Sequence, residues 1–572
     1  MRIARLRMQR FRGFESETFV FDGPVVLAGE PRAGRSDIVE GLRRVLDPRS
    51  TSARINPLDI HRPGPAAGTT ELTEVEVSLL DLGPQLSVLL DAYLEPLDAA
   101  TGSPSTGGNP STAELGVRLC YRAQYDADSD SGDHWVDAPA QSDPSVEHWV
   151  RWRRVEREAL PVRFLDNAPP LQVRAEGALR RLLTDTDPDA LDLALENMGG
   201  DITAATEAFG TTAIVTGGID SILDSGMARL IGLSDPSEVG FAPEDGTLAS
   251  LLRTLQPTLT LDAAGRLPLT SQGSTAGRVL QIAEAIAEAN RNSDGLVVIA
   301  DDFGEGLDAA AAEHAALMVR KSASQAILTT RRSEVIAGFA VDHLVRLTRS
   351  HGTRQHHRLP APNKAARFTR TLALDAFTAA ITARTLVLTE GPFDVEGYLT
   401  LARRLAQQKG SDYSLSANSM RLVSPPGSDG GISRLPAMAE LAKELGFHVR
   451  AIVDDDGPTS STNAELAKLL TVADAVVVLP HKTAIEGALV SGLSRKKLRE
   501  AVDTLVTAGE WVNSPPPAND DELEKFLVAN GAIKDQRLHA SWARAVTKAP
   551  PIATEAIRLA CTEDSGRLDV VI

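Results

Sequence analysis

The sequence predicts two α/β units in series, and three observations carry that prediction. Near the N-terminus a buried strand runs into a glycine loop and then an amphipathic helix. Farther along, an apolar strand ends in an acidic pair and is followed by another helix and strand. Beyond a polar, basic stretch a fresh alternation of strands and helices begins, with carboxylates at the strand ends. At 572 residues the chain is too long for one core and divides into roughly two to four domains.

Composition narrows the class. Hydrophobic residues at 42% and charged residues at 24% are ordinary for a soluble globular protein. The two cysteines, Cys120 and Cys561, lie far apart without metal-ligand spacing, which argues against a disulfide scaffold or zinc site and suits a reducing compartment. The opening MRIARLRMQRFRGF is basic but has no following apolar run, and no stretch reaches transmembrane length. The expectation is a cytoplasmic protein without a membrane partner. A net charge of −18 is a poor starting point for nucleic-acid binding. Carboxylates that hold cations count as negative in that sum, however, and basic residues cluster in RWRR (151–154) and from Arg349 to Arg370.

Element by element, IARLRMQRF and ETFVFDG read as two strands around the turn RGFES. VVLAGE is a buried strand entering GEPRAGRSD (29–37), and DIVEGLRRVLD has helical spacing with Ile38, Leu42, Val45 and Leu46 on one face. Residues 101–147 contain TGSPSTGGNPST and DADSDSGDHW, rich in Ser, Gly, Pro and Asp, and read as a flexible insertion within an N-terminal part spanning 1–170. From 171 to 255 amphipathic helices appear in GALRRLLTD, DALDLALENM and GIDSILDSGMARLIGL. Their apolar stripes suit core packing, a helical arm or a dimer contact. Residues 256–350 return to α/β alternation: the helix RVLQIAEAIAEANR, the strand GLVVIADD, a helix, and the strand QAILTT. A linker is placed at 351–371, and a second α/β unit at 372–572 begins with RTLVLTE, continues through HVRAIVDDDG and ends its sheet near DAVVVLP.

The chemistry-bearing motifs fall into two groups. The first is the spacing G-x-x-x-x-G-x-S, with Gly29, Gly34 and Ser36 in place, Asp37 next to them, and Arg35 where a phosphate loop carries lysine. LVVIADDFGEGLD (296–308) puts Asp301 and Asp302 at a strand end, where an aspartate holds Mg²⁺ of a bound nucleotide. LTSQGS (269–274) opens a helix with Ser271 and Gly273, whose hydroxyl and backbone N–H groups can meet a phosphate. TTRR (329–332) ends the next strand with Arg331 at the place of a γ-phosphate sensor. In that order, and with RFRGF (10–14) before the loop, these motifs resemble ABC-type ATPase heads of the SMC and RecF kind. The resemblance implies ATP as ligand and a head-to-head dimer whose signature segment completes the partner's site. Arg35 for lysine, Asp302 for glutamate and Arg331 for histidine all depart in the direction of weakened turnover.

The second group is carboxylates. TLVLTEGPFD (385–394) delivers Glu390 and then Asp394, VRAIVDDDG (449–457) presents Asp454 and Asp456, and LPHKTAIEGAL (479–489) places Glu486 at a helix start. Hard oxygen ligands from several strand ends suit Mg²⁺ or Mn²⁺. The pattern resembles a TOPRIM domain, and a head followed by TOPRIM is similar to the OLD (overcoming lysogenization defect) nuclease family, which includes the large subunit of the Gabija anti-phage system. That resemblance implies a DNA endonuclease with Glu390, Asp454 and Asp456 on one ion, and Asp394 and Glu486 on a second. It also implies a C-terminal lysine, Lys534 or Lys548, and a separate helicase-like partner protein in some members. The competing expectation is a RecF/SMC-like DNA-binding scaffold without nuclease activity. A topoisomerase would need a nucleophilic tyrosine, and none of the five tyrosines has an evident setting for it.

Overall fold

The computed structural model describes residues 1–52, 54–61, 72–105, 113–126, 130–165, 170–173, 177–197, 208–242, 256–261, 265–292, 294–350, 353–359, 375–426, 431–455, 460–511, 515–529, 532–535 and 537–571. Asp456, most of the 351–371 linker and parts of the 171–255 helical region lie outside the described residues. Two compact units result. One comprises Met1–Ala28, Arg32–Val345 and Arg349–Gln355; the other comprises Gly29–Pro31, Arg346–Thr348 and His356–Ile572.

In the first unit, β1 (Arg2–Phe11) and β2 (Phe14–Val20) pair antiparallel, and β3 (Val25–Gly29) leaves for a second sheet. β4 (Thr73–Leu80), β5 (Glu95–Asp98), β6 (Ala113–Asp126) and β7 (Ser131–Asp137) complete a six-stranded sheet of order β2-β1-β4-β6-β5, with β7 also on β6. Alternation drives it: Leu6, Met8, Val75, Val77 and Leu119 are buried, and ion pairs such as Arg5–Glu76 line the same strands.

The expectation of a flexible insertion at 101–147 is therefore corrected. ELGVRLCYRAQYD forms most of β6, whose Val117, Leu119, Cys120 and Tyr121 are core residues, and β7 buries Trp135 and Val136. The Ser/Gly/Asp-rich flanks hid a period-2 strand between them.

The second sheet adds β8 (Val162–Leu165), and a small sheet forms from β9 (Val239–Ala242), β10 (Gln256–Thr260) and β11 (Arg266–Pro268). β12 (Val297–Ala300), β13 (Gln325–Thr329), β14 (Leu344–Ser350) and β15 (Thr353–Arg358) give the second sheet its order, β15-β14-β3-β13-β12-β8. β3, β13, β12 and β8 run parallel, and β3, β13 and β12 are buried along their whole length, as a sheet covered on both faces requires. Of the expected helices, GIDSILDSGMARLIGL does not run through: a helix Ala213–Leu223 ends before Gly226, whose φ of 78° breaks it, and only a short turn Ala228–Ile231 follows.

The second unit is built on β16 (Thr385–Leu388), β17 (Met420–Val423), β18 (His448–Val453), β19 (Ala475–Val478) and β20 (Gly566–Asp569), all parallel in the order β17-β16-β18-β19-β20. The sheet expected to end at DAVVVLP thus gains an edge strand from the C-terminal segment. Crossover helices include Pro392–Lys409 and Leu435–Glu444. The core beneath gathers Tyr398, Leu401, Leu489, Trp542 and Ile557, with the Trp542 indole donating to the Leu489 carbonyl at 2.9 Å. Among the described residues no helix is long and apolar enough to cross a membrane.

Candidate functional site

The phosphate-loop motif has the backbone that its glycines imply. Gly29 sits at φ 132° against Leu347, where a Cβ would meet the carbonyl at 2.1 Å. Gly34, at φ 97°, is the residue before the helix Arg35–Leu46, whose first turn carries Asp37. A Cβ on Gly34 would come within 2.6 Å of both Phe14 and the Arg354 guanidinium. Arg354 lies over the Phe14 ring at 4.6 Å and pairs with Asp37, which Arg12 also faces at 3.5 Å. Arg12 reaches Asp59 at 2.8 Å as well. The RFRGF turn is thus explained: Arg12 and Phe14 brace the loop, and Gly13 leaves room for Arg354. Arg354 belongs to no motif, and sequence reading missed it.

Arg35 makes a contact to the backbone beyond β13. Its Nη1 donates to the Thr330 carbonyl at 2.6 Å. Burial lowers its pKa from the ordinary value, with Arg331 adding to the effect and Asp302 and Asp301 opposing it. The acidic pair follows the C-terminal end of β12. Asp301 accepts from the Thr329 hydroxyl at 2.6 Å and from the Asp302 N–H at 3.1 Å. Asp302, at φ 44°, faces Arg331 at 3.3 Å. Asp301 and Arg331 therefore follow the ends of the parallel neighbours β12 and β13, the edge where α/β sheets bind ligands. The signature segment makes its contacts elsewhere: Gly273 precedes the helix Ser274–Arg291, and Thr275 donates to the Gly306 carbonyl at 2.8 Å. Ser271 lies in a short turn just before.

In the second unit the carboxylates gather at a comparable edge. β17 lies on one side of β16 and the next strand, β18, on the other, so the chain reverses direction across the sheet between β16 and β18. The crevice at the C-terminal ends of such a strand pair is where open α/β sheets take ligands. Glu390 follows β16, Asp454 follows β18, and the Asp454 N–H donates to Glu390 Oε1 at 3.0 Å. β18 stops at Val453, so the acidic run begins in the loop beyond the strand. Asp455 faces His481 at 3.5 Å. Asp394 opens the helix Pro392–Lys409 and accepts from the Gly391 N–H at 2.8 Å. Burial raises its pKa above the usual carboxylate value, and the charge of Glu486 adds to the rise. Glu486 is buried at the start of the helix Ile485–Val490.

Three residues beside these carboxylates were not singled out by the sequence or were left undecided. Lys534 Nζ stands 3.9 Å from Glu486 Oε1; Lys534 and Lys548 are both exposed, so it is this distance that favours Lys534. Tyr398 is fully buried; burial, then the charges of Asp454, Asp394, Glu390 and Glu486, hold its phenol protonated. His539 is buried with its Nε2 3.5 Å from Glu486 Oε1. Tyrosine and histidine inside apolar helical patterns give no sequence signal, since the same pattern serves a plain core.

The donor set has the chemistry of a hard-cation site. Four carboxylates are supplied, and Glu486 Oε1 and Tyr398 Oη are buried with no hydrogen-bond partner among the described residues. As the side chains stand, no three His, Cys, Asp or Glu residues among those described are arranged to hold an ion. A cleft of about 620 Å³ opens alongside, lined by Asp455, His481, Arg567 and Asp569.

No family model and no curated protein sequence matches the chain. Solved structures to which the chain is similar include Smc head domains. An Smc head bound to the C-terminal winged-helix domain of ScpA has 13% identity over 64% of this chain and 100% of that one, with TM-score 0.37. An Smc head with an extended coiled coil, bound to the C-terminal domain of ScpA from Pyrococcus furiosus, has 12% identity over 64% and 98%, also with TM-score 0.37. The SMC head domain from Thermotoga maritima has 10% identity over 63% and 100%, with TM-score 0.31. Likeness at this level carries no functional argument by itself.

Proposed function

We propose that the chain is a metal-dependent DNA endonuclease or nickase of the OLD kind, its C-terminal carboxylates forming a TOPRIM-type site and its N-terminal head binding ATP as a regulator. The observation that carries the reading is the convergence of Glu390, Asp394, Asp454 and Glu486 on the switch-point edge of one parallel sheet, with Lys534 beside them. Side-chain rotation that brings at least three of these carboxylates onto one point would let them hold Mg²⁺ or Mn²⁺. Bound there, a pair of ions supplies an activated water and stabilises the leaving oxygen of a phosphodiester. The chain's own contribution is to position those oxygens and to set a cation, Lys534, near the scissile phosphate. Arg35, bonded to a backbone carbonyl, supports a head that binds nucleotide and turns it over slowly. The proposed assembly is a homodimer or higher oligomer on DNA, with a helicase-like protein as a candidate partner and anti-phage defence or DNA processing as the setting.

The test is incubation of supercoiled plasmid with Mg²⁺ or Mn²⁺, with and without ATP. Metal-dependent nicking or linearisation supports the reading. ATP-dependent DNA binding without any cleavage would favour the scaffold alternative.

A further inference from the structure

The cleft of about 620 Å³ in the second unit lies at the C-terminal ends of three neighbouring parallel strands. Asp455 follows β18, Leu479 and His481 follow β19, and Asp569 closes β20. Asp455 adjoins Asp454, so the cleft continues the edge on which Glu390 and Asp454 meet. Its volume falls in the range of sites that take small organic groups, about 300–1,000 Å³.

The lining is of two kinds. Leu479, Ile552 and Val570 are buried and give an apolar floor, to which the rings of Pro480 and Pro551 add. His481 and Arg567 belong to its exposed part, with side chains 62% and 47% exposed. Each is paired with a carboxylate: His481 Nδ1 is 3.5 Å from Asp455 Oδ2, and Arg567 Nε donates to Asp569 Oδ1 at 2.8 Å. Imidazole and guanidinium planes are the platforms on which unpaired bases stack. Charge points the same way. The lining holds two carboxylates and one permanent cation, which does not select a phosphate, whereas carboxylates accept from the amino groups of bases.

We infer that this cleft is a subsite for one unpaired nucleobase of a DNA strand whose neighbouring phosphate lies at the Glu390–Asp454 edge. The base rests on the apolar floor with His481 and Arg567 as its stacking platforms, and a duplex must open locally to supply it. The choice of a DNA strand deepens the nuclease reading of that edge and rests on it; the fit to a base rests on the cleft alone. A free nucleotide carries the same base chemistry, and the experiment separates the two sources.

The experiment measures binding of the full chain, in EDTA so that no strand is cut, to a short single-stranded oligodeoxycytidine and to a strand of equal length made of abasic units. The wild type is expected to prefer the strand with bases. The double variant His481→Ala, Arg567→Ala is expected to lose about fivefold to a hundredfold of that preference. Loss of a phosphate contact would weaken both strands alike and leave the preference unchanged. A wild type that binds both strands equally, or neither, overturns the inference whether or not the variant folds. A preference that survives in the folded variant also overturns it. Displacement of the oligonucleotide by free cytidine monophosphate at equal nucleotide concentration would give the cleft to a small nucleotide and overturn the strand. Base-dependent binding in a chain that never cuts plasmid would leave the subsite standing and remove the nuclease reading. Cutting by a wild type without base preference would do the reverse.

Discussion

Glu284 lies on the helix Ser274–Arg291, which the signature segment opens, and substituting it with Gln gives a sharp test of how that helix is seated. Its side chain is 2% exposed, accepts from the Leu171 N–H, and has Arg163 at 3.8 Å as its ion-pair partner. Burial pushes its carboxyl up from 4.5 to about 7, against the attraction of Arg163. The folded state therefore holds the proton more tightly than the unfolded chain. Stability is full below about pH 4.5 and is lost as pH rises through about 7. Each pKa unit is worth about 1.4 kcal/mol, so the ionised residue lowers stability by about 3 kcal/mol at pH 8. Glu284→Gln keeps the volume and the acceptor for Leu171 but cannot ionise. The attraction of Arg163, gained only as Glu284 ionises, is already contained in the pKa of about 7. The variant's melting temperature, measured by scanning fluorimetry, should thus gain on the wild type between pH 5 and pH 8. Between pH 5 and pH 8 the change is about 2.5 kcal/mol, which for a unit of this size corresponds to a gain of about 3 °C. Other titrating groups are common to both proteins and cancel. A gap that is constant from pH 5 to pH 8 would refute the buried, proton-holding environment assigned to Glu284.

Three further outcomes are expected. Trp542→Ala removes a fully buried indole and its bond to Leu489, and should cost about 3–5 kcal/mol, seen as a lowered melting transition of the C-terminal unit. Lys534→Ala should reduce plasmid cleavage while Lys548→Ala leaves it unchanged; equal effects would contradict the geometric choice between them. In the head, ATP and a non-hydrolysable analogue should alter cleavage alike, by a coupling of about 1–3 kcal/mol, and Ser36→Ala should abolish both effects. Steady turnover of about once per second or faster, lost in Asp302→Ala, would show instead that Arg35 serves as a working lysine.

Much of the framework was legible because each motif sat on an element with a strong local signal. VVLAG, LVVIA and TLVL are continuous apolar runs bounded by glycine or acid, and each became a buried parallel strand with its chemistry just beyond. Two kinds of feature were not legible. β6 and β7 were masked by polar flanks, although ELGVRLCYRAQYD alternates and its apolar side chains form the sheet's interior. β20 is a short, largely exposed edge strand whose RLD carries no apolar run; only its place beside β19 makes it a strand. At the site, Glu390 and Asp454 could be found because each stands just beyond an apolar strand run. His539 and Tyr398 could not, because burial without a partner is a property of the folded surroundings and leaves no trace in spacing.

The measurement that bears most directly on the account is nicking of supercoiled plasmid in Mn²⁺ by Glu390→Ala and Asp454→Ala beside the wild type, each checked for an unchanged melting profile. The account predicts cleavage by the wild type alone, since each variant loses a carboxylate at the β16–β18 edge that no neighbour replaces. Undiminished nicking by both folded variants would contradict it.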